Sequence, residues 1–155
     1  MKVFNRKELA KKVGIAARTV QCYDDEGIII PEIRNEPGKG RERLYSNRNL
    51  IELKVLRKLL TWGVPLIAIK KAIEEMKSIS LSFNKRLLLI VQKNIITDTV
   101  RKKYPSEPEE ALEYSFAFND TTLNKFFRDI KNWNDEVSRE TLILDISQIV
   151  TEEKE

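Results

Sequence analysis

The sequence contains no histidine and one cysteine, Cys22. No disulfide can form within one chain, and a thiolate or imidazole metal site has no ligand set to draw on. Histidine general-base catalysis is excluded, and Cys–His or Ser–His nucleophilic pairs with it. No apolar run reaches the ~18 residues that a membrane-crossing helix needs. The opening residues, MKVFNRKELAKK, hold no apolar h-region, so neither a membrane span nor export is expected. Glycine and proline are scarce, five of each in 155 residues, so each one reads as punctuation. What the chain does have is 41% apolar and 34% charged residues. That suffices for a core and is not a disordered composition. The length fits one ordinary domain or two small ones. The net charge of +4 is uneven: residues 1–77 hold 17 Lys+Arg against 10 Asp+Glu, and residues 78–155 hold 11 against 14. A front half at +7 and a back half at −3 direct any nucleic-acid contact to the front.

Asn5 to Gly27, NRKELAKKVGIAARTVQCYDDEG, reads as two short helices joined at a glycine. Asn5 and Glu8 have the spacing of a capping box, Leu9 and Val13 share one face, and Gly14 ends the first helix. The second is expected from about Ala16 to Glu26, burying Val20 and stopping at Gly27. Two helices around a tight turn form a helix-turn-helix, whose second helix enters the DNA major groove. Arg18, Thr19, Gln21 and Tyr23 lie on that second helix and are donors suited to bases and phosphates.

The next stretch, IIIPEIRNEPGKGRERLYS, reads as a β-hairpin or wing. It has an apolar run Ile28–Ile30, a turn at Pro37, Gly38 and Gly40, and a short strand Arg43-Leu44-Tyr45. Lys39, Arg41 and Arg43 place three cations where a projecting loop meets phosphates. Ser46 is a suitable N-cap for a helix from about Asn47 to Trp62, striped by Leu50, Leu53, Leu56 and Leu60. Gly63 ends it. Pro65 opens a further helix with Leu66, Ile69, Ile73 and Met76 on one face, broadened by Ile67 and Ala68.

Residues 3–76 resemble the DNA-binding domain of the MerR family of transcriptional regulators. The resemblance rests on ELAKKVGIAARTV, the pair Tyr23-Asp24, the following EGII, the RLYS of Arg43–Ser46, and the spaced leucines leading into WGVPLIAI. It places Arg18, Gln21 and Tyr23 on the recognition helix, and Arg43 and Tyr45 where the family's wing holds the DNA backbone. Two departures stand out. The family usually has arginine followed by two aromatics where this chain has Gln21-Cys22-Tyr23. It also often has exposed acidic residues where Ile67 and Ala68 stand.

Family members typically continue into a long helix that pairs two subunits as an antiparallel coiled coil. Residues 78–104 show no sustained heptad. Either Leu88, Val91 and Ile95 share a helix face, or Leu87–Val91 is a buried strand turning at Lys93-Asn94 to pair with Ile95–Val100. The β-branched IITDTV favours the hairpin. Pro108, Glu109 and Glu110 open a helix carrying Ala111, Leu112 and Tyr114. Asp120 can cap another, with Leu123, Phe126, Phe127, Ile130 and Trp133 on one face. Thr141–Val150 reads as a strand buried on both faces.

The expected fold is α+β. Residues 1–77 form a winged helix-turn-helix of four helices plus a β wing. Residues 78–155 form a small α/β unit of about three strands and two helices, serving dimerisation or an effector or partner. The expected protein is a cytoplasmic, nucleoid-associated prokaryotic regulator of MerR type and not an enzyme. It needs no cofactor or metal and binds double-stranded DNA as a homodimer on a promoter inverted repeat. RNA polymerase is a candidate partner, and a small-molecule effector is left open. The alternative is a DNA-architectural or recombination directionality protein built on the same winged module. For pairing two copies, the candidate faces are Ile67 with Ala68, and the stripe from Leu123 to Trp133.

Overall fold

A computed structural model of the chain describes residues 2–32, 43–79, 87–94, 98–119 and 138–152. Strand β1 (Val3–Asn5) runs directly into helix α1 (Arg6–Val13). Asn5 Oδ1 accepts the Glu8 N–H at 2.9 Å and Glu8 Oε2 accepts the Asn5 N–H at 2.9 Å, a reciprocal capping box. Gly14, at φ 73°, closes α1 by donating to the Ala10 and Lys11 carbonyls. Helix α2 (Ala17–Asp25) follows across this tight turn, and Leu9 and Val20 are both fully buried.

Strand β2 (Leu44–Ser46) does not pair with Ile28–Ile30 as the wing reading expects. It pairs antiparallel with β1, in the register Val3↔Ser46, Phe4↔Tyr45 and Asn5↔Leu44. The reason is local. The Ile28 and Ile29 N–H groups both donate to the Tyr23 carbonyl, closing the end of α2, and Pro31 has no donor. The wing tip, with Pro37, Gly38, Lys39, Gly40 and Arg41, lies outside the described residues.

Ser46 caps helix α3 (Asn47–Thr61), and Pro65 precedes helix α4 (Leu66–Lys77). Leu50, Leu53, Leu56, Leu59, Ile69, Ile73 and Met76 are essentially inaccessible to water. Ile67 is 43% exposed, but Ala68 is fully buried, so it offers no surface to a second subunit.

In the second half, strand β3 (Leu88–Asn94) is the centre of a three-stranded antiparallel sheet in the order β4-β3-β5, with β4 Tyr114–Asn119 and β5 Ser138–Asp145. The helical alternative for Leu88 and Val91 is thereby overturned. The expected hairpin partner Ile95–Val100 is also corrected. Both edges of β3 are taken by β4 and β5, Lys93 and Asn94 are strand residues, and Val100 sits in helix α5 (Asp98–Lys103). Asp98 in its first turn and Arg101, Lys102 and Lys103 in its last complement the helix dipole. Helix α6 spans only Glu109–Leu112, and Tyr114 starts β4 instead of prolonging it. Strand β5 stops at Asp145, whose Oδ1 accepts the Ser147 N–H at 3.0 Å, and helix α7 (Ile146–Glu152) takes over. The expected strand through Val150 is therefore cut at its middle by a helix cap. The expected helix from Asp120, with Leu123, Phe126, Phe127, Ile130 and Trp133, lies outside the described residues.

One apolar core runs through both halves. Leu87, Leu89, Val91, Leu144 and Ile146 belong to the same buried cluster as Leu9, Val20, Leu56 and Ile73. Leu87 ties the sheet to α7 directly: its carbonyl accepts the Ile146 N–H at 2.9 Å, and its N–H donates to Ser147 Oγ at 2.6 Å.

Candidate nucleic-acid interface

Helix α2 exposes Arg18, Gln21 and Cys22, while Thr19 and Tyr23 are half-buried. No side chain caps its N-terminus, and no acid lies in its first turn. Backbone N–H groups and the positive end of the helix dipole are thus left beside Arg18. Gln21 Oε1 accepts from Arg6 Nη1 at 2.7 Å, which ties the start of α1 to the exposed face of α2. Tyr23 is pushed up from its ordinary pKa, chiefly by burial, with Glu26 and Cys22 adding to the effect. It therefore remains a neutral donor at physiological pH.

The inner face of α2 is held to β2 by one carboxylate. Asp24 is buried, and its Oδ2 accepts from Arg43 Nη1 at 2.8 Å and from the Tyr45 hydroxyl at 3.0 Å. Arg43 Nη1 also donates to Asp25 Oδ1 at 3.0 Å. Hydrogen bonds to Asp25 and Asp24 hold the guanidinium charged. The Arg43 side chain stays 51% exposed, and an arginine carries five N–H donors, so its outer edge remains available to a phosphate. Tyr45 is different. It is fully buried, and burial next to Asp24 pushes its pKa up to about 12. Its hydroxyl is spent inside the fold, so Tyr45 positions the wing base and presents nothing to an outside partner.

A second polar cluster fixes where the chain leaves for the wing. Asn49 Oδ1 accepts the Ser46 N–H at 3.1 Å and the Glu32 N–H at 3.2 Å, and its Nδ2 donates to the Ile30 carbonyl at 2.9 Å. The two chain segments that flank the wing are thereby pinned to the first turn of α3. Asn49 Nδ2 also donates to Glu52 Oε2 at 3.1 Å, and Arg48 Nε donates to Glu52 Oε1 at 3.2 Å. Arg48 in turn donates to the Met76 and Ile79 carbonyls at the end of α4. Burial raises the pKa of Glu52, opposed by Asn49 and Arg48. At the other end of α3, Arg57 Nη1 donates to the Val13 carbonyl at the helix-turn-helix turn.

The structure thus brings Arg18, Gln21, Tyr23 and Arg43 into one region around α2, with Thr19 half-buried beside them and Tyr45 beneath. Lys39 and Arg41 are not among the described residues. Sequence reasoning missed Asp24 as the organising group, and missed Asn49 and Arg48–Glu52 altogether. A signal existed for the last pair: an acid at position 52 inside an apolar run, with an arginine four residues before it.

The sequence model of the family described as "MerR HTH family regulatory protein" matches residues 4–76. An uncharacterised HTH-type transcriptional regulator of Mycobacterium tuberculosis is 31% identical over 64 residues, which cover 41% of this chain and 28% of the relative. The HTH-type transcriptional regulator CueR of Salmonella typhimurium is 34% identical over 53 residues, 34% of this chain and 36% of that protein. The chain therefore matches only about a third of the length of these relatives. A crystal structure of HiNmlR, a MerR family regulator lacking the sensor domain and bound to promoter DNA, overlays with a TM-score of 0.42 at 20% identity, covering 84% of this chain and 77% of that one. A MerR family transcriptional regulator from Bacillus cereus gives 0.42 at 16% identity, covering 99% and 100%. Likenesses this loose carry no inference about this chain. The matched segment coincides with β1 through α4, the helix-turn-helix, wing base and supporting helices described above. Residues 4–76 are a helix-turn-helix domain of the MerR family of regulatory proteins.

Proposed function

We propose that this chain is a DNA-binding transcriptional regulator in which residues 1–77 engage duplex DNA. Residues 78–155, in this reading, join two copies or receive a partner. The observation that carries it is the Asp24 clamp. It sets the angle between α2 and the strand at the wing base, while Arg18 and Gln21 stay exposed on the outer face of α2. A recognition helix needs a fixed pose to read base edges, and a wing needs a fixed base to hold phosphates. Arg18 and Gln21, with Thr19 and Tyr23 behind them, form the reading face. Arg43 contacts the backbone, with Lys39 and Arg41 expected to extend that contact.

One helix-turn-helix reads one half-site, so two copies suit an inverted repeat. By resemblance to the family, the target is a promoter, and RNA polymerase is the partner that reads the outcome. DNA twisted and bent on binding would set promoter output through its shape. Such a protein works on the nucleoid, in the cytoplasm, with no catalytic step.

Selection of bound duplexes from genomic fragments, followed by fluorescence anisotropy on the selected and scrambled sequences, tests this reading. Arg18→Ala is expected to reduce discrimination by about 1–3 kcal/mol where a bidentate base contact is lost. Arg43→Ala is expected to weaken both duplexes alike and lower the salt slope by about one unit. Equal patterns for the two variants would argue against the assignment. Failure to select any duplex would sink the function.

A further inference from the structure

A cleft of about 500 Å³ opens on the side of α3 that faces the C-terminal helix, lined by Lys12, Val13, Lys54, Arg57, Lys58, Thr61, Leu144, Asp145, Gln148 and Ile149. Three of the four cations, Lys54, Arg57 and Lys58, together with Thr61, sit at i, i+3, i+4 and i+7 on α3 and so share one face. Lys12 adds a fourth from the last turn of α1. Leu144, Asp145, Gln148 and Ile149, at the junction of β5 and α7, make the opposite wall. Four cations meet one carboxylate, so the lining carries a formal +3 however its ions pair. Asp145 is already engaged in capping α7 through the Ser147 N–H. The volume lies within the ~300–1,000 Å³ typical of small-molecule sites. Val13, Leu144 and Ile149 supply an apolar patch beside the charges.

We propose that this cleft binds a small organic polyanion, one that carries phosphate or carboxylate groups on a compact apolar body. The cations meet the anionic groups, the Gln148 amide adds a hydrogen bond, and Val13, Leu144 and Ile149 take the apolar part. Arg57 gives the site a consequence. Its Nη1 already donates to the Val13 carbonyl, one residue before the Gly14 turn between α1 and α2. A Cβ at Gly14 would lie 2.9 Å from the same guanidinium nitrogen. A ligand that draws on Arg57 therefore acts on the turn that sets the pose of α2. The cleft is built from α1, α3, β5 and α7, and none of Arg18, Gln21 and Arg43 lines it, so the anion site and DNA binding can be tested separately.

The test uses the full chain without DNA. Inorganic pyrophosphate and citrate are titrated at constant ionic strength, read by thermal melting and by calorimetry. The expected result is saturable one-to-one binding, with Tm rising about 3–6 °C at ten times Kd. Lys54→Gln/Lys58→Gln should weaken binding at least tenfold and leave DNA affinity within twofold. Gln148→Glu, which adds a carboxylate to the far wall and spares α3, should do the same. Arg18→Ala should leave pyrophosphate binding unchanged. The proposal is overturned if neither probe binds saturably, or if the cleft variants bind as the parent does. It is also overturned if Arg18→Ala abolishes binding, which would put the anion on the DNA-reading face. If the lysine variant loses DNA affinity together with anion binding, the cleft is a backbone-phosphate contact. That outcome overturns the small-ligand site and leaves the DNA-binding reading intact.

Discussion

Replacing Asp24 by alanine removes the group on which two elements converge. The carboxylate side chain is 1% exposed, and it receives Arg43 Nη1 at 2.8 Å and the Tyr45 hydroxyl at 3.0 Å. The two partners lose different amounts. Arg43 is 51% exposed, so water replaces most of what the carboxylate supplied, and its share is about 0–1 kcal/mol. Tyr45 is fully buried. Its hydroxyl is left without an acceptor, at a cost of about 1–3 kcal/mol. Asp24→Ala is therefore expected to destabilise the fold by about 1–4 kcal/mol. In a chain of 155 residues that lowers Tm by roughly 3–12 °C. Urea denaturation followed by circular dichroism gives the free energy, and calorimetry gives Tm. The double variant Asp24→Ala/Tyr45→Phe supplies a sharper check. The stranded hydroxyl no longer exists, so Tyr45→Phe should cost little or even restore stability when added to Asp24→Ala. In the parent it should cost about 1–2 kcal/mol. Strict additivity, or an Asp24→Ala loss under about 0.5 kcal/mol, would refute the clamp.

Tyr45 should titrate at about 12, and its ionised form is disfavoured in the fold. Its contribution is thus fully present below the unfolded value near 10 and lost as pH rises through about 12; absorbance at 295 nm should lose that late step in Tyr45→Phe. Glu52 has its pKa raised by burial, so the folded state holds that proton more tightly than the unfolded one. Native stability should fall as pH rises from about 4.5 through the folded value, and urea midpoints should fall less steeply in Glu52→Gln; an unchanged slope counts against the assignment. Asn49→Ala removes the α3 capping partner and the anchors of Ile30 and Glu32. A loss of about 2–3 kcal/mol is expected, with faster proteolysis within residues 30–43, and resistance equal to the parent would contradict the anchoring role. A fragment of residues 1–77 loses the cover that Leu87, Leu89, Val91, Leu144 and Ile146 give the shared core. It should melt well below the full chain, and an equal Tm would show that the core is not cooperative.

The N-terminal helices were legible because their ends and faces carry separate, agreeing signals. Asn5 with Glu8, Gly14, Ser46 and Pro65 mark boundaries by chemistry that has few alternatives, and the leucines of α3 repeat at helical spacing. The pairing of β2 was not legible. Three residues at 3–5 make too short a strand to show a period, and it is the closing hydrogen bonds to Tyr23, with the missing donor at Pro31, that disqualify Ile28–Ile30. In the second half, the β-branched run ending at Val100 resembles a strand by composition. Asp98 and the cations at 101–103 settle a helix from 98 onward through end charges that a period count ignores. Tyr114, Phe116 and Phe118 alternate as a strand should, yet the acids of Glu109–Glu110 drew Tyr114 into a helix. As for the candidate site, Arg18, Gln21 and Arg43 can be nominated from sequence because they are charged or polar, and the fold leaves them exposed. Asp24, Asn49 and Glu52 were missed because their importance lies in three-dimensional convergence. Buried polar groups announce themselves in sequence only when they interrupt an apolar pattern, as Glu52 does.

Helix α3 connects these observations physically. Fifteen residues at ~1.5 Å each make a strut on the order of 22 Å long. At its start, Asn49 holds the two chain segments that flank the wing, and Arg48 with Glu52 holds the end of α4. Near its end, Arg57 holds the carbonyl before the Gly14 turn, and so the entry into α2. Between these ends its buried face packs into the core that β3 and the β5–α7 junction complete. The two parts proposed to face DNA, α2 and the wing base, are thus fixed to opposite ends of one helix and joined once more through Asp24. A displacement of α3 along its axis would shift both ends together and keep their spacing. A tilt would move one against the other and strain the Asp24 bonds to Arg43 and Tyr45. The β5–α7 junction shares a cleft with Lys54, Arg57, Lys58 and Thr61 in the later half of α3, so force applied there acts on α3 off-centre. An off-centre force tilts a strut, which makes the Asp24 clamp the element that must yield or resist when the second half of the chain moves.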